Sequence, residues 1–441
     1  MANQKSVWFI YFICLVSAMG GLLFGYDWVV IGGAKPFYEL FFGIADAPLM
    51  QGLAMTTALM GCLIGAVTAG ALADHYGRKP LLIFASVLFT LSAWATGWFD
   101  NFTMFNIARF LGGIGIGIAS AVSPMYIAEV SPAKVRGRLV SVNQMTIVLG
   151  ILAAQVTNML IAEPVDATAD LMTTWNVQTG WRWMFWAEGV PAVLFFVLAW
   201  FIPESPVFKL IKGGLSQGEG AEVKAGLEEL FQPRYRGVLL LGIVIAVFQQ
   251  WCGTNVIFNY AQEIFLGAGF DVDGMFIQIV ITGIANVIFT IVALYTVEKW
   301  GRRTLMLIGS CGLGIIYLIL GTCYFFHVEG VMMAVLVVAA ISTYAMTLGP
   351  VTWVLLSEIF PHRIRGIAMA TCTFALWVGC CTLTYSFPPM NAALGSSGSF
   401  WIYSAICLSA YVFLLRRCPE TKSKTLEELE ESLAGSRNVE S

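Results

Sequence analysis

The chain has 441 residues, of which 58% are apolar and only 12% are charged, and its mean hydropathy is +0.78. Soluble domains carry about a quarter charged residues, so this composition excludes a water-soluble enzyme. The net charge of −3 excludes a broadly basic nucleic-acid-binding protein. The ten cysteines lie mostly in apolar runs without paired spacing, which indicates small packing residues and no disulfide or metal framework.

Apolar runs of membrane-spanning length recur along the whole chain. A transmembrane helix needs about 20 consecutive apolar residues. Inside lipid every backbone amide must be bonded within its own segment, which favours helices over strands for runs of this length. An all-α integral membrane protein with twelve transmembrane helices is therefore predicted. The predicted spans are 7–34, 49–73, 81–98, 102–126, 139–161, 183–202, 238–265, 275–297, 305–326, 331–357, 367–388 and 399–415.

The first span follows Lys5 and contains Asp27. It lacks a small-residue cleavage site, which predicts an uncleaved first helix and not a signal peptide. If this helix runs outward and ends near residue 34, Asp27 lies about 10 Å below the outer surface. The fourth span runs inward and places Arg109 at a similar depth, so the two charges are predicted to meet.

A buried charge inside a membrane costs a few kcal/mol or more unless it is paired or hydrated, so such residues usually have a function. Contact with Arg109 favours the charged form of Asp27, whereas burial favours its protonated form. A motion that makes and breaks this contact would load and release a proton. The alternative is a static ion pair that sets helix packing.

Basic residues are distributed unevenly among the predicted loops. With the N-terminus inside, 21 of the 24 lysines and arginines fall on the inner side, and only Lys35, Arg109 and Arg182 lie elsewhere. The positive-inside rule then places both termini in the cytoplasm. The predicted location is the plasma membrane, which in a prokaryote is the inner membrane, with multiple passes.

Three motif pairs recur about half a chain apart, which indicates an internal duplication. They are DHYGRK (74–79) with EKWGRR (298–303), AEVSPAKVRG (128–137) with SEIFPHRIRG (357–366), and PESP (203–206) with PETK (419–422). Two pseudo-symmetric six-helix bundles follow from this repeat.

The repeat also sets the predicted domain boundaries. Short amphipathic helices are expected at 221–231 in the segment between the bundles and at 425–433 near the end of the chain. The glycines of RFLGGIGIG (109–117) lie in an apolar helix with no preceding strand, so they predict close helix packing and no dinucleotide site. The boundaries are 1–202 for the N-terminal bundle, 203–237 for a cytoplasmic linker, 238–418 for the C-terminal bundle and 419–441 for a cytoplasmic tail.

The motifs together resemble the sugar porter family of the major facilitator superfamily over nearly the whole chain. The resemblance implies the major facilitator fold, rocking-type alternating access and a pentose or hexose substrate. It implies no enzymatic activity, cofactor, metal or nucleic acid, and a functional monomer whose partners are a sugar, a proton and the lipid bilayer. The matching segments include GGLLFGYD (20–27), RFLGGIGIG, QQWCGTNVIFNY (249–260), GPVTWVLLSEIFPHRIRG (349–366) and PETKSKTLEEL (419–429).

A sugar site needs amides, which both donate and accept hydrogen bonds, and aromatic rings for the C–H faces of the sugar. The seventh span supplies several amides, and Gly349 with Pro350 can break the tenth span next to a cavity. For a single amide in a membrane helix the alternative role is an interhelical hydrogen bond. The positions that match sugar contacts by resemblance are Phe24, Gln144, Gln249, Gln250, Asn255, Tyr260, Gly349, Trp353 and Trp377.

Four positions depart from the pattern of proton-coupled family members. Ile151 and Leu376 stand where glutamines are usual, Asn259 replaces an aromatic residue, and Cys380 replaces an asparagine. The two lost glutamines mean fewer partners for sugar hydroxyls, and an unpaired polar contact shifts selectivity strongly. The identity of the sugar is therefore left open.

Charges of both signs cluster at the predicted inner helix ends. Such residues can pair to lock an inner gate, and a shared network can bias two states separated by a few kcal/mol. The alternative is that positive charge only sets topology. Glu188 could also cap Arg182 locally, and Arg303, Glu204 and Glu420 could join the network. The predicted gating residues are Asp74, Gly77, Arg78, Glu129, Arg138, Glu188, Glu298, Arg302, Glu358 and Arg365.

The predicted function is a proton-coupled monosaccharide symporter of xylose-like specificity. By resemblance, proton-coupled members carry Asp at the position of Asp27. A facilitative uniporter, in which Asp27 is structural, is one alternative. A non-transporting sugar sensor is another, but such sensors carry long cytoplasmic tails, and only 23 residues follow Cys418.

Overall fold

The chain is described by a computed structural model over residues 2–132, 135–164, 171–212, 230–361 and 364–421, apart from the side chains at 2–7, 171, 210–212 and 298. Within these ranges the regular structure is entirely helical. The first seven α-helices are α1 (Ala2–Phe41), α2 (Pro48–Tyr76), α3 (Arg78–Trp98), α4 (Phe102–Val130), α5 (Arg136–Ile161), α6 (Trp181–Ala199) and α7 (Pro206–Lys212), with a 3₁₀-helix (Leu171–Thr173) and a π-helix (Asn176–Gly180) before α6. The others are α8 (Pro233–Trp251), α9 (Thr254–Asn259), α10 (Ala261–Gly267), α11 (Val272–Trp300), α12 (Arg302–Phe325), α13 (Val331–Met346), α14 (Leu348–Ile359) and α15 (Arg365–Arg417).

Eleven helical stretches in the described ranges are long and apolar enough to cross a membrane. The last of them, α15, has 53 residues and is interrupted at Gly395, whose φ is 69°. Each arm of α15 exceeds the roughly 20 residues that a bilayer requires. The predicted all-helical membrane class, with twelve spanning segments, is therefore confirmed.

The first helix is longer than predicted. It continues to Phe41, with Pro36 inside it, whereas the sequence predicted an end near residue 34. Asp27 therefore lies about 20 Å from the end of α1, at about 1.5 Å per residue, which is about twice the distance expected from a helix end near residue 34. The reason is that Lys35 and Glu39 are paired and buried, so their charges do not end the helix.

Two predicted spans are broken into shorter helices. The seventh, predicted as continuous over 238–265, is divided into α8, α9 and α10, and Gly253 has a φ of 87° at the first break. That left-handed conformation interrupts a right-handed helix, and glycine adopts it without strain. The tenth span breaks at Thr347, so that Pro350 falls in the first turn of α14, where proline is tolerated.

The helices form two compact units. The first comprises Met1–Glu219, Phe258–Leu266 and Phe270–Ile284, and the second comprises Gly220–Ile257, Gly267–Gly269 and Ala285–Ser441. In the first unit α1 packs on α5, α4 and α6, and α4 also packs on α2 and α3. In the second unit α15 packs on α12 and α8. The predicted domain boundaries refer to the duplicated halves of the sequence and stay a prediction.

The linker and tail helices predicted from sequence are covered only in part. The described part of the linker contains α7, a short helix that follows Pro203. The predicted helix at 221–231 lies almost wholly outside the described residues, and the predicted helix at 425–433 lies outside them entirely.

Glycines let α2 and α4 approach closely, as the sequence predicted. A Cβ atom at Gly113 would overlap the carbonyl oxygen of Ala58, and one at Gly117 would overlap that of Cys62. The contact is reciprocal, because a Cβ at Gly61 would overlap the carbonyl oxygen of Phe110.

We expect Gly113→Ala to lower the free energy of unfolding by about 1–3 kcal/mol, since the added methyl group forces α2 and α4 apart. Thermal unfolding of the purified protein in detergent measures this effect. Gly70→Ala in α2 is the control, because a Cβ there meets no atom within 4 Å. Equal melting temperatures for the two variants would contradict the packing explanation.

Candidate functional site

The first candidate site is a buried ion pair between α1 and α4. Arg109 Nη1 donates a hydrogen bond to Asp27 Oδ1, and its Nη2 lies 3.3 Å from the Asp27 carbonyl oxygen. Both side chains are buried, with 2% exposure for each residue. The guanidinium also lies 5.4 Å from the ring centroid of Phe185 in α6. The structure thus brings Asp27 and Arg109 together.

A second carboxyl group belongs to this site. Glu188 in α6 is 2% exposed, and it interacts electrostatically with both Asp27 and Arg109. Its carboxyl group is within hydrogen-bonding reach of Asp27, and Asp27 Oδ2 accepts no hydrogen bond from any described donor. Two carboxyl groups therefore share one guanidinium in a buried environment.

For Glu188 the sequence predicts gating or local capping of Arg182; among the described contacts it does not pair with Arg182, and its gating role stays a prediction. Arg182 donates instead to Asp100, at 2.5 Å, and to the carbonyl oxygen of Gly97, at 2.9 Å. Glu188 lies one turn after Phe185, on the face of α6 that Arg109 also contacts. Sequence reasoning missed this because the pairing depends on how α6 is rotated about its own axis.

The second candidate site is a chain of hydrogen-bonded amides in the second unit. Gln249 Nε2 donates to the hydroxyl of Tyr344 in α13. Gln250 Nε2 donates to Gln249 Oε1 at 2.6 Å, and Asn255 Nδ2 donates to Gln250 Oε1. Asn255 Nδ2 also lies 3.9 Å from the sulfur of Cys380. Three predicted sugar-contact amides are thus joined into one chain.

The break after α8 makes this chain possible. Positions 249 and 250 lie in the last turn of α8 and Asn255 lies in the first turn of α9, so the turn at Gly253 brings Asn255 back towards Gln250. Tyr344 was not predicted, because it stands five residues before Gly349 with no spacing signal of its own. Gly349 lies beside it, since a Cβ there would be 3.3 Å from the Tyr344 ring.

The other predicted sugar-contact residues are placed as follows. Phe24 lies edge-on to Trp28 at 5.8 Å between ring centroids, and Gln144 is exposed on α5. Tyr260 is fully buried, with Lys35 above its ring. These three belong to the first unit. The second unit contains Trp353, which is 38% exposed, and Trp377, which is 6% exposed.

Three of the four departures from the family pattern are buried apolar or thiol side chains, namely Ile151, Leu376 and Cys380. Only Cys380 contacts the amide chain among the described contacts, where its sulfur faces Asn255. The fourth, Asn259, is 4% exposed, and its carbonyl oxygen lies against Gly32 of α1. The amide chain therefore keeps a polar partner at Cys380, although sulfur is a weaker acceptor than an amide oxygen.

A charge cluster surrounds the turn between α2 and α3. Arg78 donates to Glu129 Oε1 from Nη2 at 2.9 Å and from Nε at 3.1 Å, and Asp74 lies 3.5 Å away. Ser205 donates from its hydroxyl to Glu129 Oε2. Glu204 accepts from the backbone N–H of Arg78 at 3.0 Å and so caps the start of α3. We call these residues the α2–α3 cluster.

The second unit repeats this arrangement at the turn between α11 and α12. Arg302 Nη2 donates to Glu358 Oε1 at 3.0 Å, and the hydroxyl of Thr421 donates to Glu358 Oε2 at 2.6 Å. Glu420 accepts from the backbone N–H of Arg302 at 3.0 Å. Thr421 takes the place of Ser205, because PESP and PETK are the repeated motifs. We call this the α11–α12 cluster.

A buried thiol, Cys418, lies next to the α11–α12 cluster in the sequence. Burial, partly opposed by the positive charge of Arg303, raises the pKa of Cys418 to about 12. A thiol with so high a pKa stays protonated at neutral pH and reacts slowly.

The remaining predicted gating residues have different surroundings. Gly77 has a φ of 100°, which only glycine adopts easily, and this allows the sharp turn before α3. Arg365 lies 3.3 Å from the carbonyl oxygen of Phe360, and Arg138 is exposed. The side chain of Glu298 lies outside the described part of the chain. The structure therefore groups Asp74, Arg78 and Glu129 in one cluster and Arg302 and Glu358 in the other.

Known transport proteins share this sequence pattern and this fold. The sequence model of the family described as "Sugar (and other) transporter" matches residues 13–433. The chain is 36% identical to the D-xylose-proton symporter of Escherichia coli (strain K12), over 98% of this chain and 97% of that protein. It is 35% identical to the arabinose-proton symporter of Bacillus subtilis (strain 168), over 98% and 96%. The fold resembles the inward-open xylose transporter of E. coli with a TM-score of 0.83 and 35% identity, covering 96% of this chain and 99% of that one.

Proposed function

Since this chain belongs to the sugar transporter family of the major facilitator superfamily, a group of multi-pass membrane proteins that are not enzymes, we propose that it carries a monosaccharide together with a proton by alternating access. Two relatives of about one-third identity are named as pentose–proton symporters, one for D-xylose and one for arabinose. Their names support a pentose or a similar hexose as the substrate.

The buried group of Asp27, Glu188 and Arg109 carries the proposal of proton coupling. Two carboxyl groups with one guanidinium leave one negative charge uncompensated, and such a charge is costly in a low-dielectric interior. A proton on either carboxyl group removes that charge and lets the two carboxyl groups share a hydrogen bond. A change in the contact between Asp27 and Arg109 would then change how tightly the proton is held.

The amide chain supports the sugar part of the proposal. Its amides present several donors and acceptors of hydrogen bonds along α8 and α9, as a polyhydroxylated ligand requires. A sugar hydroxyl can take the place of one of these internal hydrogen bonds at little net cost, because it both donates and accepts. The aromatic residues Phe24, Tyr260, Trp353 and Trp377 are proposed to cover the apolar faces of the sugar.

Topology and domain boundaries form part of the proposal. Both termini are proposed to face the cytoplasm, on the strength of the basic residues counted in the sequence. The two halves at 1–202 and 238–418 are proposed to rock about the substrate site, and the protein is proposed to function as a monomer. On this topology the α2–α3 and α11–α12 clusters lie at the cytoplasmic side, where we propose that they act in gating.

Glu129→Gln tests the gating role. We expect the maximal transport rate to fall about tenfold with little change in the KM for sugar, because the variant loses a hydrogen-bonded charge pair that biases the transport states. Asp74→Asn is the control: Asp74 has a half-exposed side chain (51%) and a longer contact to Arg78, so a change well below tenfold is expected. Initial rates of uptake into proteoliposomes measure both, and a KM effect without a rate effect would contradict gating.

The proposed function itself is tested with the wild-type protein in proteoliposomes. A panel of aldopentoses and aldohexoses is added to vesicles that contain a pH-sensitive dye. Acidification of the vesicle interior that depends on one sugar supports symport and identifies the substrate. Counterflow of a sugar without any pH change would instead favour a facilitative uniporter.

A further inference from the structure

Three charged side chains near the C-terminal end of α1 have no part in the proposed function. Lys35 and Glu39 lie one turn apart on α1, with 2.9 Å between Lys35 Nζ and Glu39 Oε1. Lys35 also donates to Glu263 of α10. Lys35 is 1% exposed and Glu39 is 7% exposed, whereas the Glu263 side chain is 29% exposed. We call these three residues the ion triad.

The charges of the ion triad do not balance. Two carboxylates share a single ammonium group, so one negative charge is left over in a largely buried site. Gln51 of α2 approaches Glu39 with its Nε2 at 3.4 Å, and Gln51 carries no charge. Tyr260 faces Lys35, with 5.3 Å from Nζ to the ring centroid. None of these described neighbours supplies a second positive charge.

Tyr38 and Arg109 are the remaining described titratable or charged neighbours of the ion triad. The Tyr38 hydroxyl donates to the sulfur of Met55, and the side chain interacts electrostatically with Glu39, Glu263 and Arg109. Arg109 is itself paired with Asp27, so its positive charge already compensates the Asp27 carboxylate. An uncompensated buried carboxylate is costly, and a bound proton is the simplest way to neutralise it.

The surplus negative charge of the ion triad depends on the position of α10. Lys35 and Glu39 belong to the same helix and stay paired whatever α10 does. Glu263 joins them only while α10 lies on α1. Glycines with φ of 87° and 85°, Gly253 and Gly269, bound the stretch that contains α9 and α10, which gives the backbone points at which to bend.

Close backbone contact keeps this stretch docked on α1. A Cβ at Gly32 would lie 3.0 Å from the carbonyl oxygen of Phe258 and 3.1 Å from that of Asn259. Docking of α10 therefore brings a second carboxylate to a lysine that is already neutralised by Glu39.

We propose that Lys35, Glu39 and Glu263 form a second proton-binding site, which takes up one proton when α10 docks on α1 and releases it when α10 leaves. Because Glu263 is partly exposed, the proton exchanges with water on the side where α1 ends. The site therefore makes docking of α10 sensitive to pH without adding a transported proton. This second site rests on the proposed function in one respect only: the side of the membrane on which α1 ends is taken as the outer side.

Hydrogen–deuterium exchange of the full-length protein in nanodiscs tests the proposal. Exchange in peptides covering 28–42 and 258–267 is compared at about pH 5.5 and about pH 7.5 after correction for intrinsic rates. For one linked proton the opening equilibrium of α10 is expected to rise with pH, by at most about tenfold per pH unit. Wild-type exchange that shows no such rise would overturn the proposal.

Two variants and a matched control sharpen this test. Glu263→Gln removes the surplus carboxylate, so α10 is expected to stay protected at both pH values. Lys35→Met leaves two carboxylates without a cation, so α10 is expected to open at the higher pH. Glu329→Gln changes an exposed carboxylate beside Gly269, and it should keep the wild-type response. A wild-type slope in Glu263→Gln would overturn the proposal.

Asp27→Asn separates this inference from the proposed function. If the ion triad is the proton site, Asp27→Asn keeps the pH response of α10 even where it abolishes coupled accumulation. Loss of that response in Asp27→Asn would assign it to Asp27 and would overturn the second site. Failure of sugar-dependent proton uptake in the wild type, with the α10 response intact, would count against symport alone.

Discussion

Asp27→Asn is expected to abolish accumulation of sugar against a gradient while leaving exchange of sugar across the membrane. The asparagine keeps the size of the side chain and can still accept a hydrogen bond from Arg109, but it cannot bind or release a proton. With a pH gradient of one unit, one coupled proton supports about tenfold accumulation, since one pH unit is worth about 1.4 kcal/mol. We expect the internal-to-external ratio to fall from about ten to about one.

Uptake and counterflow of radiolabelled sugar in the same proteoliposomes measure the two activities. Asp100→Asn is the matched control. Asp100 also pairs with an arginine, Arg182, but its side chain is 79% exposed. The control should accumulate sugar like the wild type. Accumulation well above one in Asp27→Asn would support the alternative of a static ion pair, in which Asp27 and Arg109 only hold α1 against α4.

Gln250→Leu is expected to weaken sugar binding by roughly 10- to 100-fold. Gln250 is the middle member of the amide chain, so the substitution leaves Gln249 Oε1 and Asn255 Nδ2 without their present partner. A buried polar group left unpaired costs about 1–3 kcal/mol, and the sugar also loses one partner. Leucine is close to glutamine in volume, so the packing of α8 should change little.

Isothermal titration calorimetry of the purified protein gives the Kd for the sugar that the panel identifies. Gln178→Leu removes an exposed glutamine whose side chain donates to the carbonyl oxygen of Met172 and for which no sugar contact is proposed. It should leave the Kd unchanged. Equal Kd values for Gln250→Leu and the wild type would show that the amide chain is an interhelical hydrogen-bond network and not the sugar site.

The features that could be predicted from the sequence are those that follow from local rules. Lipid forces each spanning segment to satisfy its own backbone, so apolar runs of sufficient length predict helices wherever they occur. The meeting of Asp27 and Arg109 was predictable because two charges at similar depths in apolar helices must find partners. The repeated motifs predicted two sets of inner charges, and the α2–α3 and α11–α12 clusters contain the same types of contact.

Helix breaks were harder to predict, since their consequences are not local. Gly349 and Pro350 marked the break before α14, but Gly253 gave no comparable signal within QQWCGTNVIFNY. Only in the structure does the turn at Gly253 fold Asn255 back onto Gln250, because a positive φ redirects the chain at one residue. The length of α1 was underestimated because Lys35 ends the apolar run in the sequence, whereas in the structure Lys35 is paired with Glu39 inside the continuing helix.

Composition, hydropathy and repeated motifs thus sufficed for the membrane class, and the resemblance of the motifs to sugar porters indicated the family. Together they singled out Asp27, Arg109 and the amides as candidates. Long-range packing was needed for the partnership of Glu188 with Asp27, the hydrogen bond from Gln249 to Tyr344 and the ion triad of Lys35, Glu39 and Glu263. Each of these joins side chains on different helices. Whether they meet depends on the rotation and depth of whole helices. Many apolar contacts together set that rotation and depth, so no short motif encodes them.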